Sequence, residues 1–455
     1  MKTRMNFKDE FYQKLKLLVL PIAIQNFMLA LVSATDAIML GWIDQTSLSA
    51  VSLAGQVQFV LSLFISGIAA GAGIMAAQYW GKQDAALIEK VIPIALRTNL
   101  LFSGLFTILA GFCPEMLMRI FTNDAALVAS GSQYLRAVAL SYVLCGISQV
   151  YLILLKNTGH AAVSSRISST AVVLNIILNA ILIYGLCGAP ALGIRGAAYA
   201  TVAARVVELI WAYLETKKPE RVRILWNRLF SSAGKILSED FWRYTLPVLA
   251  ASLVWGIAYV LYSVIMGHMG SDAVAANSIT SIAKSLLSCL IRGVSGGAGV
   301  LIGNLLGANE LEKAREYGRR LSHLSIAIGI VTGGLLMLIS PAIVHFAPLS
   351  DTAAEYLQYM LLFCGLNLMA QSVNTTVLDG IFCAGGDAKF DMQGNIGAMW
   401  CFSVPLGFLA AFWLKLPVMV VYCIVNLDEI VKLPAVYHHY KKYIWVRNIT
   451  RDVED

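Results

Sequence analysis

The first sixteen residues are mostly polar, and from Leu17 onward the chain alternates long apolar runs with short polar breaks. About twelve runs are long enough to cross ~30 Å of hydrocarbon at about 1.5 Å per helical residue. The predicted spans are 17–43, 50–78, 91–112, 131–155, 163–186, 192–214, 243–267, 276–302, 322–346, 357–381, 391–413 and 416–437. The first is too long for a signal-peptide core and ends in no small-residue cleavage site, so it reads as an uncleaved first helix. Spans 50–78 and 276–302 are rich in Gly, Ser and Ala, the composition of helices that face other helices rather than lipid. No break is long enough for a soluble domain. The longest, 215–242, is basic and carries Leu225, Trp226, Leu229, Phe230, Ile236 and Leu237, an amphipathic stretch expected to lie on the cytoplasmic interface. The expectation is an all-α integral membrane protein: a six-helix bundle over 1–214, a basic linker over 215–242, a second six-helix bundle over 243–437 and a cytoplasmic tail over 438–455.

Composition agrees with that class. The 455 residues are 58% hydrophobic and 13% charged, about half the charge of a soluble domain. A disordered chain, a secreted disulfide scaffold and a nucleic-acid-binding domain are excluded. Roughly 26 of the 34 Lys and Arg fall in the termini and alternate breaks, which puts both termini on the cytoplasmic side of the cell membrane. The net charge of +7 therefore calls for no nucleic-acid partner. The eight cysteines contain no C-x-x-C and no zinc-ligand spacing; Cys113 and Cys187 are the pair that could both lie near the outer face.

A shift of 226 positions superposes the halves without a gap over about 65 residues. Leu20-Pro21 falls on Leu246-Pro247, Gly41 on Gly267, Gly67 on Gly293, Gly71 on Gly297, Gly73 on Gly299 and Gly81 on Gly307. The halves thus read as a duplication of like topology, related by an axis along the membrane normal. The G-x-x-x-G-x-G glycines sit deep in an apolar run with no preceding strand, so they read as helix packing and not as a phosphate loop.

Ionisable residues inside spans cost at least ~2.5 kcal/mol each and are functional candidates by default. Asp36 is the sharpest. Its repeat partner is Tyr262, so the acid exists in one half only. Pro21, about four turns below, removes a backbone donor and marks a weak point for a kink. A lone carboxyl in a low-dielectric site can load and release a proton near neutral pH. Asn175 and Asn179 share a helix face, and with Thr201 and Asp36 they could form an oxygen-rich site; interhelical hydrogen bonding alone is the competing reading. Arg205 with Glu208 and Asp428 with Lys432 read as helix-face pairs, and Asp379 as a residue near a cytoplasmic helix end. Lys284 and Arg292 have no acid within a turn. They are assigned with Tyr262 to a possible substrate cleft, or to pairing with acids of other helices. A lysine in that cleft would favour neutral, zwitterionic or anionic cargo over cations.

Leu20-Pro21 followed by Asp36-Ala-Ile-Met-Leu-Gly41, Gly71-Ala-Gly-Ile-Met-Ala-Ala-Gln-Tyr-Trp-Gly81, Leu155-Lys-Asn-Thr-Gly-His160 and Asn175-Ile-Ile-Leu-Asn179, with the repeat of the first two, resemble the multidrug and toxic compound extrusion (MATE) family. The resemblance covers most of the chain and is nearer to the DNA-damage-inducible branch. It implies a V-shaped pair of bundles exporting organic compounds in exchange for H+ or Na+. It implies a kinking role for Pro21, a cation-coupling role for Asp36, and network roles for Asn175 and Thr201. Asn179 falls where better-known members carry a second carboxylate. That weakens a Na+ site at Asp36, Asn175 and Asn179, since a hard cation prefers anionic oxygen. Trp255 stands where the other branch has a glutamate, which argues against a cation site in the second half.

The leading reading is a secondary antiporter acting on small organic substrates in the bilayer as a monomer, with H+ favoured over Na+ and no cofactor. A lipid-linked oligosaccharide flippase of the same superfamily is the alternative, and Lys284 and Arg292 give it some force. A receptor or scaffold has no need of a duplicated bundle with an intramembrane acid. No H-E-x-x-H, G-x-S-x-G or P-loop supports an enzyme. The orientation is testable: a single cysteine at Lys217 is expected to resist an impermeant thiol reagent on intact cells and to react after permeabilisation. Labelling on intact cells overturns the assigned sidedness.

Overall fold

The structure, a computed structural model, describes residues 2–43, 45–219, 221–224, 226, 229, 234–347 and 349–451, with backbone alone at 2–9, 34, 37 and 45. Leu225 and Phe230 of the expected amphipathic stretch lie outside the described residues.

No described residue is in a strand. The first half contains α1 (Lys2–Gly41), α2 (Gln45–Gly81), α3 (Ala85–Phe112), the short α4 (Pro114–Arg119), α5 (Ala125–Leu155), α6 (Ala161–Tyr184) and α7 (Ile194–Thr216). The second contains α8 (Lys235–Gly267), α9 (Ser271–Gly307), α10 (Leu311–Phe346), α11 (Asp351–Thr375), α12 (Ala388–Asn395), α13 (Val404–Phe408), α14 (Val418–Val425) and α15 (Asp428–Tyr440). Among the described residues, ten stretches are long and apolar enough to cross a membrane. One of them, Ala125–Tyr184, runs for 60 residues, about twice what one crossing needs. It is divided at Thr158 (φ −100°, ψ 30°) and Gly159 (φ +81°), where the positive φ suits a glycine, and so supplies two of the expected segments, α5 and α6. The expected 416–437 segment is the exception. It is two short helices, α14 and α15, interrupted at Asn426 and Leu427, because Asn426, Asp428, Glu429 and Lys432 break its apolar run. The helix expected from 243 already begins at Lys235, so Ile236 and Leu237 belong to α8 rather than to an interfacial linker.

The duplication reaches the helix ends. α1 ends at Gly41 and α8 at Gly267; α2 runs Gln45–Gly81 and α9 Ser271–Gly307; α3 begins at Ala85 and α10 at Leu311. Each pair is separated by the same 226 positions as the sequence repeat.

The chain packs as two compact units, one of 27–249 and one of 1–26 with 250–455. The divisions fall inside α1 and α8, not in the 215–242 connector. Within the first unit, the opening turns of α8 lie on α2: a Cβ at Gly67 would come within 2.8 Å of Leu249 Cα, and one at Gly71 within 2.6 Å of Thr245 Cβ. Within the second, the opening half of α1 lies on α9 at repeat-equivalent positions: a Cβ at Gly293 would meet Ala23 Cα at 2.9 Å, and one at Gly297 would meet Val19 Cγ2 at 2.8 Å. Small residues therefore permit close backbone approach. The core of the first unit gathers Leu61, Ile65, Leu135 and Tyr142. In the second, Ile291, Leu336, Leu357 and Leu368 pack in one cluster and Ala258, Ile265, Met399 and Val421 in another. Past α15, Trp445 is fully buried, stacked with Tyr440 over Gly318. All eight cysteines, Cys113 and Cys187 among them, are free thiols.

Gly293→Val is expected to cost about 1–3 kcal/mol through overpacking against Ala23, read as a lower melting temperature in detergent. Gly104→Ala, where a Cβ meets nothing within 4 Å, should leave it unchanged. Equal melting of both variants with wild type overturns the close-packing account.

Candidate functional site

Asp36 lies near the end of α1, one turn before Met39, whose carbonyl accepts a 2.7 Å hydrogen bond from the Tyr184 hydroxyl of α6. That bond fixes the end of α1 beside α6. Asn175 and Asn179 lie on one face of α6, both buried. Asn179 Nδ2 donates to Asp36 Oδ1 at 2.6 Å and to Asn175 Oδ1 at 3.2 Å. Asn175 Nδ2 donates to Thr201 Oγ1 on α7 at 3.3 Å. The Thr201 hydroxyl proton goes to Ala197 O at 3.0 Å, so its oxygen is free to accept. Four polar side chains from three helices are thus linked, with donation diverging from the Asn179 amide, to the Asp36 carboxylate on one side and through Asn175 and Thr201 to the Ala197 carbonyl on the other. Asn179 Oδ1 is buried without a partner.

The chain borders a cavity of about 490 Å³ inside the first unit, lined among others by Asp36, Gln58, Tyr134, Asn175, Thr201 and Arg205. Arg205 Nη1 donates to both oxygens of Glu208 at 3.0 Å, and Ser148 Oγ donates to Glu208 Oε1 at 2.6 Å. Arg205 keeps 19% of its side chain exposed and Glu208 only 1%. The two were expected as a pair. That both line the cavity depends on the packing of α7 against α5 and α6, which helix-face spacing does not contain. Gln58, Tyr134 and Ser148 were not singled out; a polar residue inside an apolar span was the available signal for Gln58 and Ser148. The Arg205–Glu208 pair is balanced, whereas Asp36, in the cavity wall, has no ion-pair partner among the described residues and is bonded to the amide of Asn179, whose oxygen is unpartnered. One carboxylate with neutral amide and hydroxyl neighbours suits a proton better than a metal cation, which prefers more anionic oxygen.

The other candidates lie in the second unit. Pro21 sits within an unbroken α1 in the stretch assigned to that unit. Tyr262 is buried in α8. Lys284 on α9 donates to Asn367 Oδ1 at 2.9 Å, so its direct partner is an amide rather than an acid. Arg292 is exposed on α9. Lys432 reaches Asp428 at 3.8 Å as spacing suggested, yet its closer acid is Glu429 at 3.1 Å.

An all-helical, duplicated membrane chain with a polar cavity inside one bundle has the form of a multi-pass transporter. The model of the family MatE matches residues 21–181 and 247–409, and the chain belongs to that family, the MATE multidrug efflux transporters. It is 21% identical over 94% of its length to the uncharacterized transporter YisQ of Bacillus subtilis, covering 93% of that protein. It is 21% identical over 99% of its length to the probable multidrug resistance protein YoeA of the same organism, covering 98% of it. In fold it is similar to a MOP superfamily transporter from Pyrococcus furiosus, with a TM-score of 0.85 at 19% identity and 95% of each chain covered.

Arg205→Met leaves Glu208 buried without its counter-charge and is expected to destabilise the protein by about 3 kcal/mol. Arg205→Met/Glu208→Gln, which removes both charges, should recover most of that loss in thermal melting. No recovery in the double variant overturns the ion-pair account.

Proposed function

We propose that this chain is a secondary antiporter of the cell membrane, with both termini cytoplasmic, that exports organic compounds in exchange for H+ or Na+ through Asp36. The observation that carries the reading is the hydrogen-bonded chain Asp36–Asn179–Asn175–Thr201 beside a cavity of about 490 Å³. Membership of a family of multidrug efflux transporters supports export of organic compounds as the transport activity.

The mechanism follows from one carboxyl with two states. Deprotonated, Asp36 takes the Asn179 amide and presents a negative charge to the cavity. A proton arriving from the outer face removes that charge, and the bond to Asn179 rearranges. Pro21 has no N–H, so the carbonyl four residues before it lacks a helical partner and α1 has a point at which to bend. Bending shrinks the cavity and expels the cargo. Proton and cargo compete through the same carboxyl, so each lowers the other's affinity by the same factor. H+ is favoured over Na+ because the described site offers one carboxylate, and Asn175 Oδ1 is already engaged by Asn179. Such a set is poor for a hard cation.

Proteoliposomes loaded with ethidium and driven by separate pH and Na+ gradients test the reading. Efflux is expected under the pH gradient and to be lost in Asp36→Asn, which reaches the membrane folded. Wild-type gradient-driven efflux from Asp36→Asn removes Asp36 from the mechanism, and efflux driven by Na+ alone reverses the choice of ion.

A further inference from the structure

The second unit carries buried charge that the antiport cycle above does not use. Around the break between α14 and α15 stand Asp391 of α12 and Asp428, Glu429 and Lys432 of α15, each at least nine-tenths buried. Lys432 Nζ donates to Glu429 Oε1 at 3.1 Å and to Asn395 Oδ1 at 3.2 Å, with Asp428 Oδ2 at 3.8 Å. Asn374 Nδ2 donates to Glu429 Oε2 at 2.7 Å and leaves its own oxygen buried and unpartnered. Asn395 Nδ2 donates to Asp391 Oδ1 at 3.1 Å. On the other side of the break, Lys284 donates to Asn367, which donates to the Asn426 carbonyl at 2.6 Å. A polar path therefore runs from half-buried Lys284 to the helix break.

An interrupted helix at membrane depth is tolerated where protein groups or water satisfy its freed backbone, and such breaks are where transporters place ion sites. The charges around this one do not balance. Asp391, Asp428 and Glu429 are three buried acids, against the buried Lys432 and the half-buried Lys284, while Asp379 and Arg292 are exposed. The groups whose fields reach Asp391 are Asp379, Glu429 and Lys432, with Cys383 beside it. Glu429 and Asp428 both have the Lys432 ammonium within 4.0 Å, whereas Asp391 has no ion-pair partner among the described residues, only the Asn395 amide. An uncompensated buried carboxylate is the most costly member of such a cluster, and one proton removes the imbalance. Na+ is a poorer solution, because the Lys432 ammonium already stands among the carboxylates.

We infer that, although Trp255 removes the acid on which a cation site in the second half was expected to depend, the second unit contains its own proton-binding site elsewhere, with the proton on Asp391 and the Lys432–Glu429–Asp428 network as its charged wall. The site is separate from Asp36 and stands whether or not Asp36 is the coupling group.

Infrared spectroscopy of the purified full-length protein in lipid at neutral pH tests this, in an Asp36→Asn background that removes the first unit's carboxyl. A protonated-carboxyl C=O band is expected to remain in that background. Adding Asp391→Asn should remove the intensity of one carboxyl. Adding Asp391→Glu should keep the band and shift it, which preserves the test if the asparagine variant does not fold. Absence of the band in Asp36→Asn, or a band that neither substitution at Asp391 alters, overturns the inference. Loss of ethidium efflux in Asp36→Asn with the band intact would separate the two sites; wild-type efflux there with the band intact would defeat the antiport reading alone.

Discussion

A polar group inside bilayer hydrocarbon has no water to bond, so each must find its partner within the protein. Several of the hydroxyls in these helices meet that demand locally. Thr35, Thr98 and Thr280 each donate to the carbonyl four residues earlier, at 2.9 Å. A carboxylate has no such local solution, because it accepts and the helix's N–H groups are already used. Asp36 must therefore draw a donor from another helix, and Asn179 is that donor. Asn179 in turn needs Asn175, and Asn175 needs Thr201. The relative setting of α1, α6 and α7 at this level follows from one acid in α1.

The same demand acts differently on the two copies of an ancient repeat. Helix ends, and the glycines that let α1 and α8 approach α9 and α2, keep their register across 226 positions. Those features serve packing, which both halves need. The polar groups are not duplicated. Asp36 is matched by Tyr262, and the intact α7 is matched by the broken pair α14 and α15. Divergence has thus concentrated charge at a helix end in one half and at a helix break in the other, on a scaffold whose close contacts could not change.

The apolar runs, the duplication and the shared face of Asn175 and Asn179 were legible because each rests on local spacing or on comparison of the chain with itself. The interruption at Asn426 was not, because a long hydropathy window averages the polar cluster at 426–432 with the apolar residues of 418–425. The early start of α8 was hidden for a related reason: residues 235–242 are amphipathic, and hydropathy marks where hydrocarbon begins rather than where a helix does. The amide partner of Lys284 lies 83 positions away, and the presence of Arg205 in the cavity depends on three helices at once. No spacing rule reaches such contacts. The division of α1 and α8 between the two units is likewise a fact of packing between halves, invisible along the chain.

The replacement of an expected second carboxylate by Asn179 has a chemical consequence beyond the loss of one charge. Two carboxylates in one low-dielectric site repel each other and share a proton, so the pair titrates as a unit. An amide beside a carboxyl behaves otherwise, because it carries a donor and an acceptor on one rotor. With Asp36 ionised, the Asn179 N–H group is the correct partner, as observed at 2.6 Å. With Asp36 protonated, the carboxyl O–H needs an acceptor, and the buried Asn179 Oδ1 has none of its bonding capacity in use. Turning the amide over exchanges one bond for the other, and the same motion releases Asn175 from Asn179 Nδ2. A single proton can thus change the hydrogen bonds of α6 and α7 without any second acid, which is what the proposed coupling through Asp36 requires of this site.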